Sequence, residues 1–326
     1  MQVIDRRELL QLALLAGAGF GGARAFGQDP PGKRRLGELG YAELVDPAEL
    51  PQRALGRDGR KLPALGLGCF PLGNLADEDT AVAIVARALE SGARYFDTAP
   101  SYNDGVSERR VGKGLKGFER EKLYVATKTL ERDGDKALAE LERSLERLGM
   151  DYVDCVQVHE VHDDGDSVFA KGGVLAALAK AKEQKKIRAI GFTCHRDPKY
   201  ALAMLERFEF ASALVPVNPI DPQHRSFVKD FLPKAKAKGV AIVAMKIYAG
   251  GALVRAGSRV TAAECLRWAL AQPGVCIAVP GADKLEYWDE TRKAAVAPDL
   301  SAAQLDDIAL RVGKHEGQSS EWYKDP

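Results

Sequence analysis

Residues 123–159 read LYVATKTLERDGDKALAELERSLERLGMDYVDCVQVH, and this stretch decides the fold. It opens with a short apolar and β-branched run, Leu123–Lys128, and closes with another, Tyr152–His159. Both read as strands. Between them Leu138, Leu141, Leu145 and Leu148 recur at spacings of three and four, which puts them on one inward face of a helix over 134–148. Gly149 supplies its C-terminal stop. A strand, a one-sided helix and a second strand make a parallel crossover unit.

The same alternation recurs on either side. Strands are predicted at Ala64–Cys69, Arg94–Thr98, Leu123–Lys128, Tyr152–His159, Ile187–Thr193, Ala213–Asn218, Val240–Lys246 and Val275–Pro280. Helices near 78–91, 107–116, 134–148, 171–185, 198–208, 224–238, 260–272 and 284–296 follow them in turn. Asp197-Pro198 marks one start, an N-cap followed by proline at the first helical position. Eight such units close into an α/β fold of the (β/α)8 TIM-barrel class over residues 52–312, with a last helix near 301–312 and a polar tail over 313–326. An open doubly wound sheet is the alternative. Two glycine motifs, at 17–22 and 112–117, match GxGxxG, but the second ends a helix where a dinucleotide fingerprint should begin one.

Composition narrows the function. The chain has 326 residues, 46% hydrophobic and 29% charged, which excludes disorder. Lys+Arg 47 against Asp+Glu 46 leaves no basic field for nucleic acid or an anionic membrane. Cysteines at 69, 155, 194, 265 and 276 lack CxxC spacing, so they read as small buried hydrophobes rather than metal or disulfide cysteines.

The first 25 residues read as an address. Arg6-Arg7 precedes an uncharged Gly/Ala-rich run, Leu12 to Ala23, and Ala23-Arg24-Ala25 has the small-x-small form of a cleavage site. The expectation is a twin-arginine signal over 1–25, hence a translocase partner during export, a periplasmic location and no membrane anchor after cleavage; the alternative is an amphipathic N-terminus and a cytoplasmic location. Residues 26–51 carry no sustained period and read as a linker or arm.

In a barrel of this class the strands present functional groups at their carboxyl ends. Three consecutive predicted strands end in Asp97 with Tyr102 just beyond, in Lys128 and in His159. An Asp and a Lys on adjacent strand tops pair across the mouth and keep the Lys charged. Its ammonium is then expected to lower the Tyr102 pKa toward neutrality and make the phenol a usable proton donor. His159 is placed to orient a substrate oxygen.

These residues resemble the aldo-keto reductase superfamily. Arg53–Gly68 is similar to its N-terminal hairpin and first strand. Phe96-Asp97-Thr98-Ala99-Pro100-Ser101-Tyr102, with Ser107-Glu108 and Val111-Gly112, resembles its most diagnostic motif, and Lys128 and His159 complete its tetrad. The resemblance runs from about residue 52 to 312. It implies hydride transfer between a nicotinamide cofactor and a carbonyl or alcohol, with Tyr102 as proton donor, Lys128 and Asp97 in support and His159 positioning the oxygen. A small-molecule aldehyde, ketone or sugar is the implied substrate.

The cofactor half departs from the family pattern. Its Ser-Asn pair after the fifth strand and Gln on the sixth correspond here to Thr193-Cys194 and Leu214, leaving His195 or Asn218 to replace the missing partners. The stacking aromatic of the seventh strand corresponds to Met245. Lys246 with Gly250 and Gly251 is expected near the pyrophosphate, and Gly281, Asp283 and Lys284 near the adenosine end. Asp283 repels a 2′-phosphate that Lys284 attracts, and NADP is expected ahead of NAD.

Two other readings compete. His159-Glu160-Val161-His162-Asp163-Asp164 suggests metal hydrolysis, but the spacing is not HExxH, and alternate strand positions should turn His159 and Glu160 to opposite sides, so no metal ligands are assigned. The cofactor-site departures suggest a nucleotide-binding sensor or interaction module on the same barrel with little turnover.

Overall fold

The computed structural model describes residues 49–255, 258–313 and 320–324, all within one compact unit, Ala42–Pro326. The expected signal, 1–25, and most of the expected arm, 26–51, lie outside the described residues. Leu50, assigned to that arm, is a core residue, and Glu49 pairs with Arg292, so the barrel unit already includes the arm's last residues.

A short antiparallel hairpin, β1 (Gln52–Ala54) and β2 (Lys61–Pro63), comes first. Eight parallel strands follow in sequence order: β3 (Leu67–Gly68), β4 (Tyr95–Asp97), β5 (Tyr124–Thr129), β6 (Val153–Val158), β7 (Ile187–Thr193), β8 (Ser212–Pro216), β9 (Ala241–Met245) and β10 (Val275–Ala278). Bridges Leu65–Ala278 and Gly68–Gly281 join the last strand to the first and close the barrel. A Cβ on Gly281 would stand 2.7 Å from Pro71 Cγ, so this seam needs glycine.

Side-chain alternation divides the apolar residues into two sets. Tyr95, Tyr124, Ala126, Cys155, Leu214, Val243, Met245 and Ile277 fill the interior, and Leu55 and Leu62 of the hairpin region pack with them. Phe96, Val125, Val156, Val158 and Phe192 face outward onto the helices. The same period carries Asp97, Lys128 and Gln157 inward, because each stands two residues beyond an interior position on its own strand. Asp97 ends β4 and His159 follows β6 directly, so the polar groups gather on the carboxyl rim.

All eight expected strands are present, the first reduced to Leu67–Gly68. Helix 134–148 has the expected bounds, and its Leu141, Leu145 and Leu148 are buried. Each buried leucine contributes roughly 1.5–3 kcal/mol. Expected helix 224–238 is corrected to a π-turn, Phe227–Phe231, followed by a helix at Leu232–Ala237. Pro233 has no N–H to donate, which breaks the ladder there. Gly112 of the decoy motif lies where a side chain would strike the Leu148 carbonyl, so helix packing accounts for it. Among the described residues no helix is long and apolar enough to cross a membrane.

Candidate active site

Lys128 anchors the site. Its Nζ donates to Asp97 Oδ2 at 2.6 Å and to the Thr98 carbonyl at 2.7 Å, and its side chain is wholly buried. Gln157 Nε2 donates to Asp97 Oδ1 at 3.0 Å, so the carboxylate is held from two strands. Burial alone lowers an ammonium pKa, but the charge and hydrogen bond of Asp97 outweigh it and hold Lys128 above its ordinary value.

Tyr102 sits in the bend after β4, where Asn103, Asp104 and Gly105 all take positive φ before helix Val106–Leu115. Asn103 Nδ2 donates to the Gly73 carbonyl at 2.7 Å and fixes that bend. The Lys128 ammonium lies 4.7 Å from the Tyr102 ring centroid, close enough for its charge to act on the phenol. The expected acidification of Tyr102 is corrected: burial pushes its pKa up to about 12, and Lys128 recovers only part of that rise. A buried phenolate loses more hydration than one already neutralised cation returns.

His159 completes the cluster. Its ring centroid is 6.1 Å from that of Tyr102, and Nδ1 makes one long contact, 3.5 Å, with Ser101 Oγ. Burial first, then Lys128, holds its pKa well below the ordinary value, so the imidazole is neutral. Asp97, Tyr102, Lys128 and His159 thus meet as the sequence suggests. Gln157 and Ser101 join them unforeseen, although the inward register two residues before His159 was a readable signal for Gln157.

The expected cofactor residues are less uniformly available. Thr193 Oγ1 accepts the Glu160 N–H at 2.7 Å, and Cys194 is buried with Sγ donating to the Asp197 carbonyl at 3.4 Å. Asn218 Nδ2 donates to the Lys246 carbonyl at 3.0 Å and to Tyr323 Oη at 2.9 Å, while Oδ1 accepts two backbone N–H groups. All its hydrogen-bonding capacity is in use, and it does not replace the missing carboxamide partner in this arrangement. Met245 and Leu214 line the interior. Gly250 and Gly251 both take positive φ, and a Cβ on Gly250 would meet Trp322 Nε1 at 2.8 Å. Asp283 and Lys284 are exposed at the start of helix Leu285–Ala295.

Lys246 differs from the other lysine of the mouth. Its φ is +53°, and its ammonium lies 5.1 Å from the Trp322 ring and 5.6 Å from the Tyr323 ring. Its pKa is lowered by burial, against the pull of Glu160. No hydrogen bond or ion pair holds its Nζ among the described residues. The tail that covers it is anchored by Lys324, wholly buried and 2.9 Å from both Asp221 and Glu321. No sequence pattern signalled that anchor.

The expectation that His159 and Glu160 face opposite sides is also corrected. Glu160 stands beyond the end of β6 with φ of +52°, so strand alternation no longer applies to it. Ligand atoms of His159, Glu160 and His195 lie within 4.8 Å of one another.

The fold and site define a class: a closed parallel barrel whose carboxyl rim sets a phenol beside a buried lysine and a neutral imidazole. The chain belongs to the Aldo/keto reductase family, whose model matches residues 64–264. It is 33% identical over 225 residues to L-galactose dehydrogenase of Arabidopsis thaliana, covering 63% of this chain and 67% of that one. It is 36% identical over 188 residues to morphine 6-dehydrogenase of Pseudomonas putida, covering 56% and 58%. Among solved structures it resembles the holo form of the aldo-keto reductase AKR11C1 from Bacillus halodurans, with a TM-score of 0.69 and 25% identity over 80% of this chain and 96% of that one.

Proposed function

We propose that this protein is a nicotinamide-dependent oxidoreductase that interconverts a small carbonyl and its alcohol, with Tyr102 carrying the proton. The observation that carries this reading is the Lys128–Asp97 pair at 2.6 Å beneath the Tyr102 phenol, beside the neutral His159. Family membership and the dehydrogenase names of the relatives support it.

The residues present fit a nicotinamide dinucleotide at its phosphate end. Among the described residues the Lys246 ammonium lacks an ionic partner, and nothing lies within 4 Å of a Cβ added at Gly251. Lys246, Gly250 and Gly251 would hold the phosphates, Met245 and Leu214 would offer an apolar face to the ring, and Gly281, Asp283 and Lys284 would meet the adenosine end. When bound, the dinucleotide supplies or accepts hydride.

In reduction, negative charge develops on the substrate oxygen and must be met where it forms. His159, neutral, positions that oxygen through a ring nitrogen. Tyr102 Oη gives up its proton to it, and the Lys128 ammonium stabilises the phenolate left behind. Asp97, steadied by Gln157, keeps the Lys128 charge in place. In oxidation Tyr102 takes the proton back.

An aldose or similar hydroxylated carbonyl is the proposed substrate class, on the likeness to a protein named L-galactose dehydrogenase. NADP is proposed ahead of NAD through Lys284, and tighter binding of NAD than of NADP in a fluorescence titration would reverse that choice. Export by the twin-arginine route stays part of the proposal; protein from a periplasmic fraction should then carry bound nucleotide, and a wholly empty preparation would count against loading before export. The main test is single-turnover reduction of a carbonyl panel by the cofactor-loaded protein. Wild type should transfer hydride, and Tyr102→Phe should lose roughly a hundred- to ten-thousand-fold in rate with cofactor affinity retained. Equal rates in the two proteins would overturn the assignment.

A further inference from the structure

We propose that His159, Glu160 and His195 form a binding site for a divalent transition metal of the zinc class at the barrel mouth. The three offer two imidazole nitrogens and one carboxylate oxygen, all within 4.8 Å of one another. Two imidazoles and a carboxylate suit zinc, and this donor set leaves a fourth position for water or a ligand.

Among the described residues no strong hydrogen bond or ion pair holds any of the three donors. There His159 has only the 3.5 Å hydrogen-bond contact of Nδ1 with Ser101. Neither the His195 ring nor the Glu160 carboxylate makes a hydrogen bond or ion pair among the described residues. The backbone beneath them is nevertheless fixed. Arg132 donates to the His159 carbonyl at 2.9 Å and is itself held by Asp164 at 2.7 Å. Thr193 Oγ1 accepts the Glu160 N–H at 2.7 Å and pins the left-handed residue that turns its carboxylate to the imidazoles.

Zinc holds such ligands at about 2.0–2.2 Å, which sets neighbouring donor atoms roughly 3.4 Å apart. The span of 4.8 Å must therefore contract when metal enters, and Glu160, exposed on the rim, is free to move. Neighbouring cations set the strength of the site. Asp97 neutralises Lys128 and Asp164 neutralises Arg132, which leaves Lys246 and Arg196 facing His195. The Lys246 charge opposes a dication, so its removal should tighten binding.

The proposal goes beyond the oxidoreductase reading, although it shares His159 with it. Untagged full-length protein, stripped with a chelator, is titrated with zinc by calorimetry and with cobalt by visible absorption. One ion should bind per chain, with a cobalt band. Glu160→Gln and His195→Ala should each weaken binding by about tenfold or more. Lys246→Met should strengthen it several-fold, and His162→Ala should leave it unchanged. The proposal is overturned if wild type binds no metal at about 1 mM, if Glu160→Gln binds as wild type does, if Lys246→Met binds no tighter, or if His162→Ala abolishes binding. Glu160→Gln alters only an exposed side chain, so it carries the test even if His195→Ala does not fold. Binding rather than turnover is the readout for the metal, and turnover is assayed on metal-stripped, cofactor-loaded protein: a protein that takes up zinc but is inactive when stripped contradicts the oxidoreductase reading alone, and an active one that takes up none contradicts the metal site alone.

Discussion

The two halves of the barrel mouth are built differently. On β4 to β6 the inward polar residues bind one another: Asp97, Lys128 and Gln157 are joined at 2.6 and 3.0 Å, and Tyr102 and His159 face them. On β7 to β9 the corresponding residues are bound by their own loops and by the tail. Thr193 holds the Glu160 backbone and Asn218 holds Tyr323, while the Lys246 ammonium, the His195 ring and the Glu160 carboxylate make no hydrogen bond or ion pair among the described residues. On the proposed mechanism the first half is preorganised for proton movement. The second half leaves charge for an incoming anion, but its fixed polar groups are already occupied.

Substitutions in the first half should have the larger effects. Lys128→Met removes one member of a buried pair and leaves Asp97 uncompensated, at about 3–5 kcal/mol in unfolding free energy. Chemical denaturation would measure that loss, and a change below about 1 kcal/mol would mean that the pair is not buried as described. In the second half Lys324→Met breaks the tail anchor. Asp221 keeps its bonds from Ser226, Phe227 and Val228, so the expected cost is smaller, about 1–3 kcal/mol. Limited proteolysis should then cut the tail first, and unchanged resistance would contradict the anchor. Tyr323→Phe should cost only about 1 kcal/mol and leave the rate of the chemical step intact. A large loss of that rate would erase the distinction between the halves.

What was legible in the sequence follows the same division. Strand period and rim position suffice to place Asp97, Lys128 and His159 on one interior surface, because residues on parallel strands in register share a face. They do not suffice for Glu160, whose left-handed backbone lies just beyond the strand and belongs to a non-glycine residue. Nor do they reach the tail, where Tyr323 meets Asn218 across 105 residues of chain. The sign of the Tyr102 shift was missed for a third reason. Spacing shows that a cation is near, but not how much water the phenol has lost.

The pH dependence of alcohol oxidation by the cofactor-loaded protein tests the central claim most directly. With its pKa pushed up to about 12, Tyr102 is protonated at neutral pH, and the phenolate that accepts the substrate proton in the proposed mechanism is scarce. The single-turnover oxidation rate should therefore climb about tenfold per pH unit on the alkaline side of neutrality. Reduction, which uses the protonated phenol, should stay level over the same range. Tyr102→Phe should abolish the climb along with most of the rate. The same slope in wild type and Tyr102→Phe would show that the proton passes through another group.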